Sequence, residues 1–167
     1  QMGFQLNFVD IDPQTLNIDP EKIEAAITPS TCAIFAVNLL GNPCQYQKIL
    51  DIAKRHNLIL IEDNCESFGA IAENNRYTGT LGQLGSFSFF FSHHIQTMEG
   101  GMITCHSSED AEYLRSLRAH GWSRHLSTQN SITTLDEDPF KRNFCFVTPG
   151  FNVRPLEMAG AIGSVQL

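Results

Sequence analysis

CAIFAVNLLGNPCQYQKILDIAKRHNLILIED, residues 32–63, decides the fold. Its first part, from Cys32 to Leu40, is a continuous apolar run of the kind that suits a buried strand. Gly41-Asn42-Pro43 breaks the run. Tyr46, Ile49, Leu50 and Ala53 then recur at helical spacing and predict a helix to about His56. Leu58–Glu62 is a second short apolar run. Strand, helix, strand in that order favours a parallel sheet with helices on its faces, an α/β fold.

Working outward, Phe4, Leu6 and Phe8 alternate with polar neighbours and predict a short strand entering a turn at Asp10–Asp12. Asp19-Pro20 is a helix start, with Asp19 as N-cap and Pro20 in the first turn. Ile23, Ala26 and Ile27 give that helix one apolar face. On the other side, Ser86–Phe91 (SFSFFF) predicts an aromatic strand. Gly100-Gly101 leads into a further strand, MITC. Ser107 or Ser108 caps a helix through Ala119. Ser123–Arg142 has no clear period and is expected to be a long surface loop, and Pro155–Leu167 reads as a helix. No linker, repeat or low-complexity tract appears.

Composition narrows the function classes. The 167 residues are 42% hydrophobic and 17% charged, which is globular, and the net charge is −7. That charge argues against nucleic acid and anionic membranes as partners, since both need Lys/Arg patches. No run of about 18 apolar residues occurs, so no membrane-spanning helix is expected. The N-terminus has neither the basic region nor the apolar core of a signal peptide. The five cysteines form no C-x-x-C pair and are odd in number. They are expected to be reduced, structural thiols in a cytoplasmic protein. Their spacing gives little support to a zinc or iron–sulfur site, and no metal is expected.

Several side chains stand where chemistry is done. Asp63 ends the second apolar run, and in parallel sheets ligands gather at the carboxyl ends of strands. A carboxylate there can hold a protonated ring nitrogen or a metal, or it can cap the next turn. Glu66 adds a second carboxylate three residues on. Ser88 is a lone hydroxyl in the aromatic strand, which also suits a core hydroxyl. His93 and His94 are adjacent, so in an extended segment they point in opposite directions and at most one faces a site.

The order of these segments resembles the DegT/DnrJ/EryC1/StrS sugar aminotransferase family. That pattern is a strand ending in Glu-Asp, then Gly-x-x-Gly and a Phe-Ser-Phe strand. A lysine with Glu-Gly-Gly follows, and later Gly-(Tyr/Phe)-Asn. The corresponding stretches are IEDNCESFGA (61–70), GTLGQLGSFSFF (79–90), HHIQTMEGG (93–101) and PGFNVRPLEMAGAIG (149–163). The resemblance implies the aspartate-aminotransferase-type fold of enzymes dependent on pyridoxal phosphate (PLP), fold type I. Residues 1–167 would be part of its PLP-binding large domain, a mainly parallel mixed sheet between helices. An N-terminal segment and a small C-terminal domain would be absent from the chain.

The resemblance also implies roles. Asp63 matches the carboxylate that pairs with the pyridine nitrogen of the cofactor. Glu66 stands where aminotransferases usually have glutamine near the ring hydroxyl. Ser88 matches a serine that binds the cofactor phosphate. Asn152 matches an asparagine that reaches the phosphate of the neighbouring subunit, which implies a homodimer with shared sites. Counting back six residues from Glu99 puts His93 at the position of the family lysine. Imidazole cannot make the stable covalent link that lysine makes with PLP, so pyridoxamine phosphate (PMP) can serve as the working form. Histidine, with an unperturbed pKa of about 6.5, can move protons near neutral pH.

NLLGNP, EDNCES, LRAHGW and the stretches above look most like family members that carry histidine in place of the lysine. Those remove the C3 hydroxyl from a GDP-linked 4-keto-6-deoxy sugar, with glutamate as amino donor, in deoxysugar (colitose, O-antigen lipopolysaccharide) biosynthesis. Three alternatives stay open: a CDP-linked hexulose 3-dehydrase with an iron–sulfur centre, an ordinary nucleotide-sugar aminotransferase, and a lysine-less cofactor-binding regulator.

Overall fold

The computed structural model describes residues 3–127, 130, 136 and 138–167. They fall into two compact units, Gln1–Thr104 with Ala161–Leu167, and Cys105–Gly160.

The first unit is built on a four-stranded sheet in the order β1-β2-β5-β6. β1 is Ala33–Val37, β2 Ile59–Asp63, β5 Leu84–Ser88 and β6 Gly101–Cys105. A small antiparallel hairpin, β3 (Ile71–Ala72) with β4 (Arg76–Tyr77), lies between β2 and β5 in sequence. β1 pairs with β2 in parallel from Ala33↔Ile59 to Val37↔Asp63, and β2 pairs with β5 in parallel from Ile61↔Leu84 to Asp63↔Ser86. The expected strand–helix–strand unit is therefore present, with α2 (Tyr46–Arg55) as its crossover.

Alternation decides which side chains meet the helices. Ile34, Ala36 and Leu60 point into one core with Ile23 of α1 (Pro20–Ala26) and with Tyr46, Ile49, Ile52 and Ala53 of α2. Asp19 caps α1 as expected, accepting the Glu21 N–H at 3.0 Å. The opposite face of the sheet carries Phe35 and Ile59, 55% and 48% exposed, together with Val37. Parallel sheets ordinarily have both faces covered, so this face has the composition of an interior.

Glu62 also points to the buried side, with none of its surface exposed. Three backbone N–H groups of the Gly79–Gly82 loop hold its carboxylate: Gly79 at 2.7 Å, Leu81 at 2.7 Å and Gly82 at 2.6 Å. Gly79 has φ +81, and a Cβ there would lie 2.3 Å from the Phe87 ring, so only glycine fits. Truncating Glu62 would orphan three buried donors at once. Glu62→Ala is expected to cost about 3 kcal/mol or more of stability, read as the shift in urea midpoint of the full-length protein.

In the second unit, α3 (Ser108–Leu117) starts from the Ser107 cap. α4 (Pro139–Asn143) starts from Asp138, and α5 (Glu157–Ser164) runs on into the first unit. Trp122 Nε1 donates to Asn143 O at 2.6 Å and its ring stacks on Phe146.

The structure corrects several expectations. Phe4, Leu6 and Phe8 form no strand and are 75–88% exposed; the pairing nearby is an isolated Ile11–Ile18 bridge. Alternation makes a strand only where a neighbour supplies ladder partners. The aromatic strand lies two residues earlier than expected and ends at Ser88, and Phe90 and Phe91 lie outside it. Its pairing with β2 stops at Asp63↔Ser86, because β2 itself ends there. α3 ends at Leu117, not Ala119, because His120 and Gly121 take left-handed backbone, φ +65 and +81. The last helix covers only Glu157–Ser164 of the expected Pro155–Leu167. The expected loop Ser123–Arg142 contains a 3-10 turn, Ser123–His125, and most of α4. Residues 128, 129, 131–135 and 137 of that stretch lie outside the described residues. The five cysteines are free thiols, but only Cys44 is buried.

Candidate active site

Adjacent parallel strands bring their carboxyl ends together, which places Asp63 beside Ser86 and leaves Ser88 two residues further along β5. Asp63, Glu66 and Ser88 are all half-buried on this edge. Asp63 does cap the next turn, as one sequence reading allowed: Oδ1 accepts the Cys65 N–H at 3.0 Å. Burial first, then the Asp63 carboxylate, pushes the Cys65 thiol up to about 11, so at neutral pH it stays protonated. Glu66 Oε2 accepts the Leu40 N–H at 2.6 Å. The Ser88 hydroxyl accepts the Phe90 N–H at 3.3 Å.

Beyond β5 the chain bends back on itself. Phe89 N–H donates to Gly100 O at 2.9 Å and Thr97 N–H to Phe89 O at 2.8 Å, closing the loop that carries both histidines. His93 N–H donates to Phe90 O at 3.0 Å, and its half-buried ring meets Phe90 edge-on with centroids 6.3 Å apart. His94 is exposed. The segment is bent, not extended, so the alternation rule does not separate the two histidines; burial does.

Asn152 belongs to the second unit. It bridges to Ala119, is exposed, and accepts from Arg154 Nη2 at 3.0 Å.

A support network escaped the sequence reading. Asn38 Nδ2 donates to Asn64 Oδ1 at 2.8 Å. Asn38 Oδ1 accepts from Cys44 N–H at 2.9 Å and from the Tyr46 hydroxyl at 3.0 Å. Ser67 Oγ donates to Asn64 Oδ1 at 3.2 Å. Both asparagines are buried, and they tie together the turns that leave β1 and β2. Each is the residue that directly follows its strand, Asn38 after Val37 and Asn64 after Asp63.

Among the described residues, no helix is long and apolar enough to cross a membrane, and no group of three or more His, Cys, Asp or Glu side chains is placed to hold a metal.

Known proteins are similar to this chain in sequence and fold. GDP-4-keto-6-deoxy-D-mannose 3-dehydratase of Escherichia coli O55:H7 is 52% identical over the whole chain, which covers 43% of that enzyme. A crystal structure of GDP-4-keto-6-deoxymannose-3-dehydratase with a trapped PLP–glutamate geminal diamine superposes with a TM-score of 0.87 at 52% identity, over 95% of this chain and 41% of that one. A further structure of that enzyme, with a histidine changed to lysine and the serine before it to asparagine, matches at 51% identity and a TM-score of 0.87, over 95% of this chain and 42% of that one. The chain thus spans less than half the length of these relatives. Their fold is the α/β fold of the PLP-dependent aminotransferase type expected from the sequence. The model of the DegT/DnrJ/EryC1/StrS aminotransferase family matches residues 1–167, and the chain belongs to that family.

Proposed function

We propose that this chain is the large-domain portion of a cytoplasmic enzyme that removes the C3 hydroxyl from a GDP-linked 4-keto-6-deoxy sugar. Its cofactor is PLP, used as PMP and restored by glutamate. The observation that carries the reading is Ser92-His93. The crystallised relative was altered at an adjacent serine and histidine, and Ser92-His93 is where serine directly precedes histidine in this sequence.

The donor set on the carboxyl edge fits the cofactor: a half-buried carboxylate for a ring nitrogen, a strand-end hydroxyl for a phosphate, and an imidazole nearby in sequence. When bound, the cofactor supplies an amine and an electron-accepting ring. Asp63 keeps the ring nitrogen protonated, and the Cys65 N–H bond to Oδ1 fixes its direction. Ser88 holds the phosphate. Glu66 lies near the ring hydroxyl. His93 takes a proton at C4′ of the cofactor and delivers one to the departing C3 hydroxyl. With no lysine at this position, no covalent bond tethers the cofactor.

Mass spectrometry of the full-length protein with GDP-4-keto-6-deoxymannose, PLP and glutamate tests the reading. The expected product is a GDP-sugar lighter by one oxygen atom. An aminated sugar would mark an aminotransferase instead, and an unchanged sugar would overturn the proposal.

The functional unit is a homodimer in which Asn152 serves the neighbour's phosphate. Mixing equal amounts of an Asn152→Ala protein and an Asp63→Asn protein should restore roughly a quarter of wild-type activity once subunits exchange, because half of the dimers are hybrids and one site per hybrid is intact. Assays on mixtures with demonstrated exchange check this; no recovery would sink it.

A further inference from the structure

The Leu39–Gly41 turn that leaves β1 is held from several directions. Buried Asn17 accepts the Leu39 N–H at 3.0 Å and donates to Asn42 O at 2.8 Å. Asn42 in turn donates to Thr15 O at 3.1 Å. From the active-site side, Glu66 Oε2 accepts the Leu40 N–H at 2.6 Å. Leu40 has φ +54 and ψ 24, a left-handed conformation that a leucine keeps only where its neighbours over-determine it. Its side chain is 74% exposed, so packing does not hold it there. Gly41 follows at φ +80, with room for a Cβ limited by the Glu66 carbonyl at 3.0 Å.

We propose that Glu66 is a positioning residue that sets this turn and the cofactor site with one carboxylate. Oε2 fixes the Leu40 N–H. Oε1 has no hydrogen-bond partner among the described residues and is left for the bound cofactor. Filling the site therefore stiffens the turn, and the turn holds Leu40 out as an apolar rim beside the carboxyl edge. The role assigned to Oε1 rests on the cofactor reading above; the role of Oε2 does not.

The test is amide exchange at Leu40 in the full-length protein. Without cofactor, Glu66→Ala should speed exchange about tenfold to a hundredfold, the scale of a lost hydrogen bond to a charged acceptor. Glu66→Gln keeps an acceptor oxygen and should stay within a few-fold of wild type. Added PMP should slow Leu40 exchange further in wild type and Glu66→Gln, but not in Glu66→Ala. Equal exchange in wild type and Glu66→Ala overturns the clamp, as does a Glu66→Gln protein that exchanges like the alanine variant. No effect of PMP on wild type overturns the coupling. If Glu66→Ala does not fold, Glu66→Gln with and without PMP decides the matter, since equal protection in both states overturns the coupling. The measurement needs no turnover, so a protein that shows this pattern but leaves the sugar intact contradicts the assigned reaction and keeps the clamp.

Discussion

Replacing His93 by asparagine should slow C3 deoxygenation by about 10²–10⁴-fold, the usual weight of general acid–base help. Asparagine fills a similar space, and the backbone hydrogen bond from residue 93 to Phe90 O does not depend on the side chain, so the loop should keep its course. The glutamate half-reaction should slow too, because it moves a proton at the same C4′ atom. His94→Asn, at an exposed position, should change either rate by less than about threefold. Stopped-flow absorbance of both folded variants, with far-UV circular dichroism as control, checks this. A dead His94→Asn beside a healthy His93→Asn would mean that the wrong histidine has been assigned; two healthy variants would remove histidine from the mechanism.

Asp63→Asn should lower turnover by about 10²-fold or more in both half-reactions, since asparagine keeps the shape but cannot hold a ring nitrogen protonated. The Cys65 N–H that now donates to Oδ1 can donate to the asparagine oxygen, so the turn after β2 should survive. Cofactor affinity by equilibrium titration, measured beside turnover, separates loss of binding from loss of ring activation. Near-wild-type turnover with cofactor bound would refute the role.

How much of this was legible in the sequence varied with the kind of interaction. The β1–α2–β2 unit was readable because apolar runs and helical spacing are local, and both report burial. Phe4-Leu6-Phe8 misled because alternation says nothing about whether a partner strand exists. The frame of β5 was missed for a related reason: it starts where Leu84 meets Ile61 of β2, before the aromatic run that marked it in the sequence. Asp63 was legible from its place after an apolar run. Ser88 and His93 were not; their residue types were ambiguous, and the family resemblance singled them out. The contact between Glu66 and Leu40 spans 26 residues and joins a side chain to a backbone N–H, which leaves no trace in residue type. Glu62 looked like half of a Glu-Asp pair, and its burial under the Gly79–Gly82 loop emerged only with the sheet.

The uncovered sheet face of Phe35, Val37 and Ile59 makes the history of the polypeptide matter. Whenever these residues exist without an apolar cover, on the ribosome or after proteolytic clipping, they offer β-prone, uncharged side chains on a rigid parallel platform. Such a surface favours association between like molecules, and it does so more as concentration rises. Net charge of −7 is the main counterweight, and salt screens it. Colloidal behaviour of any such intermediate should therefore worsen with ionic strength and with concentration.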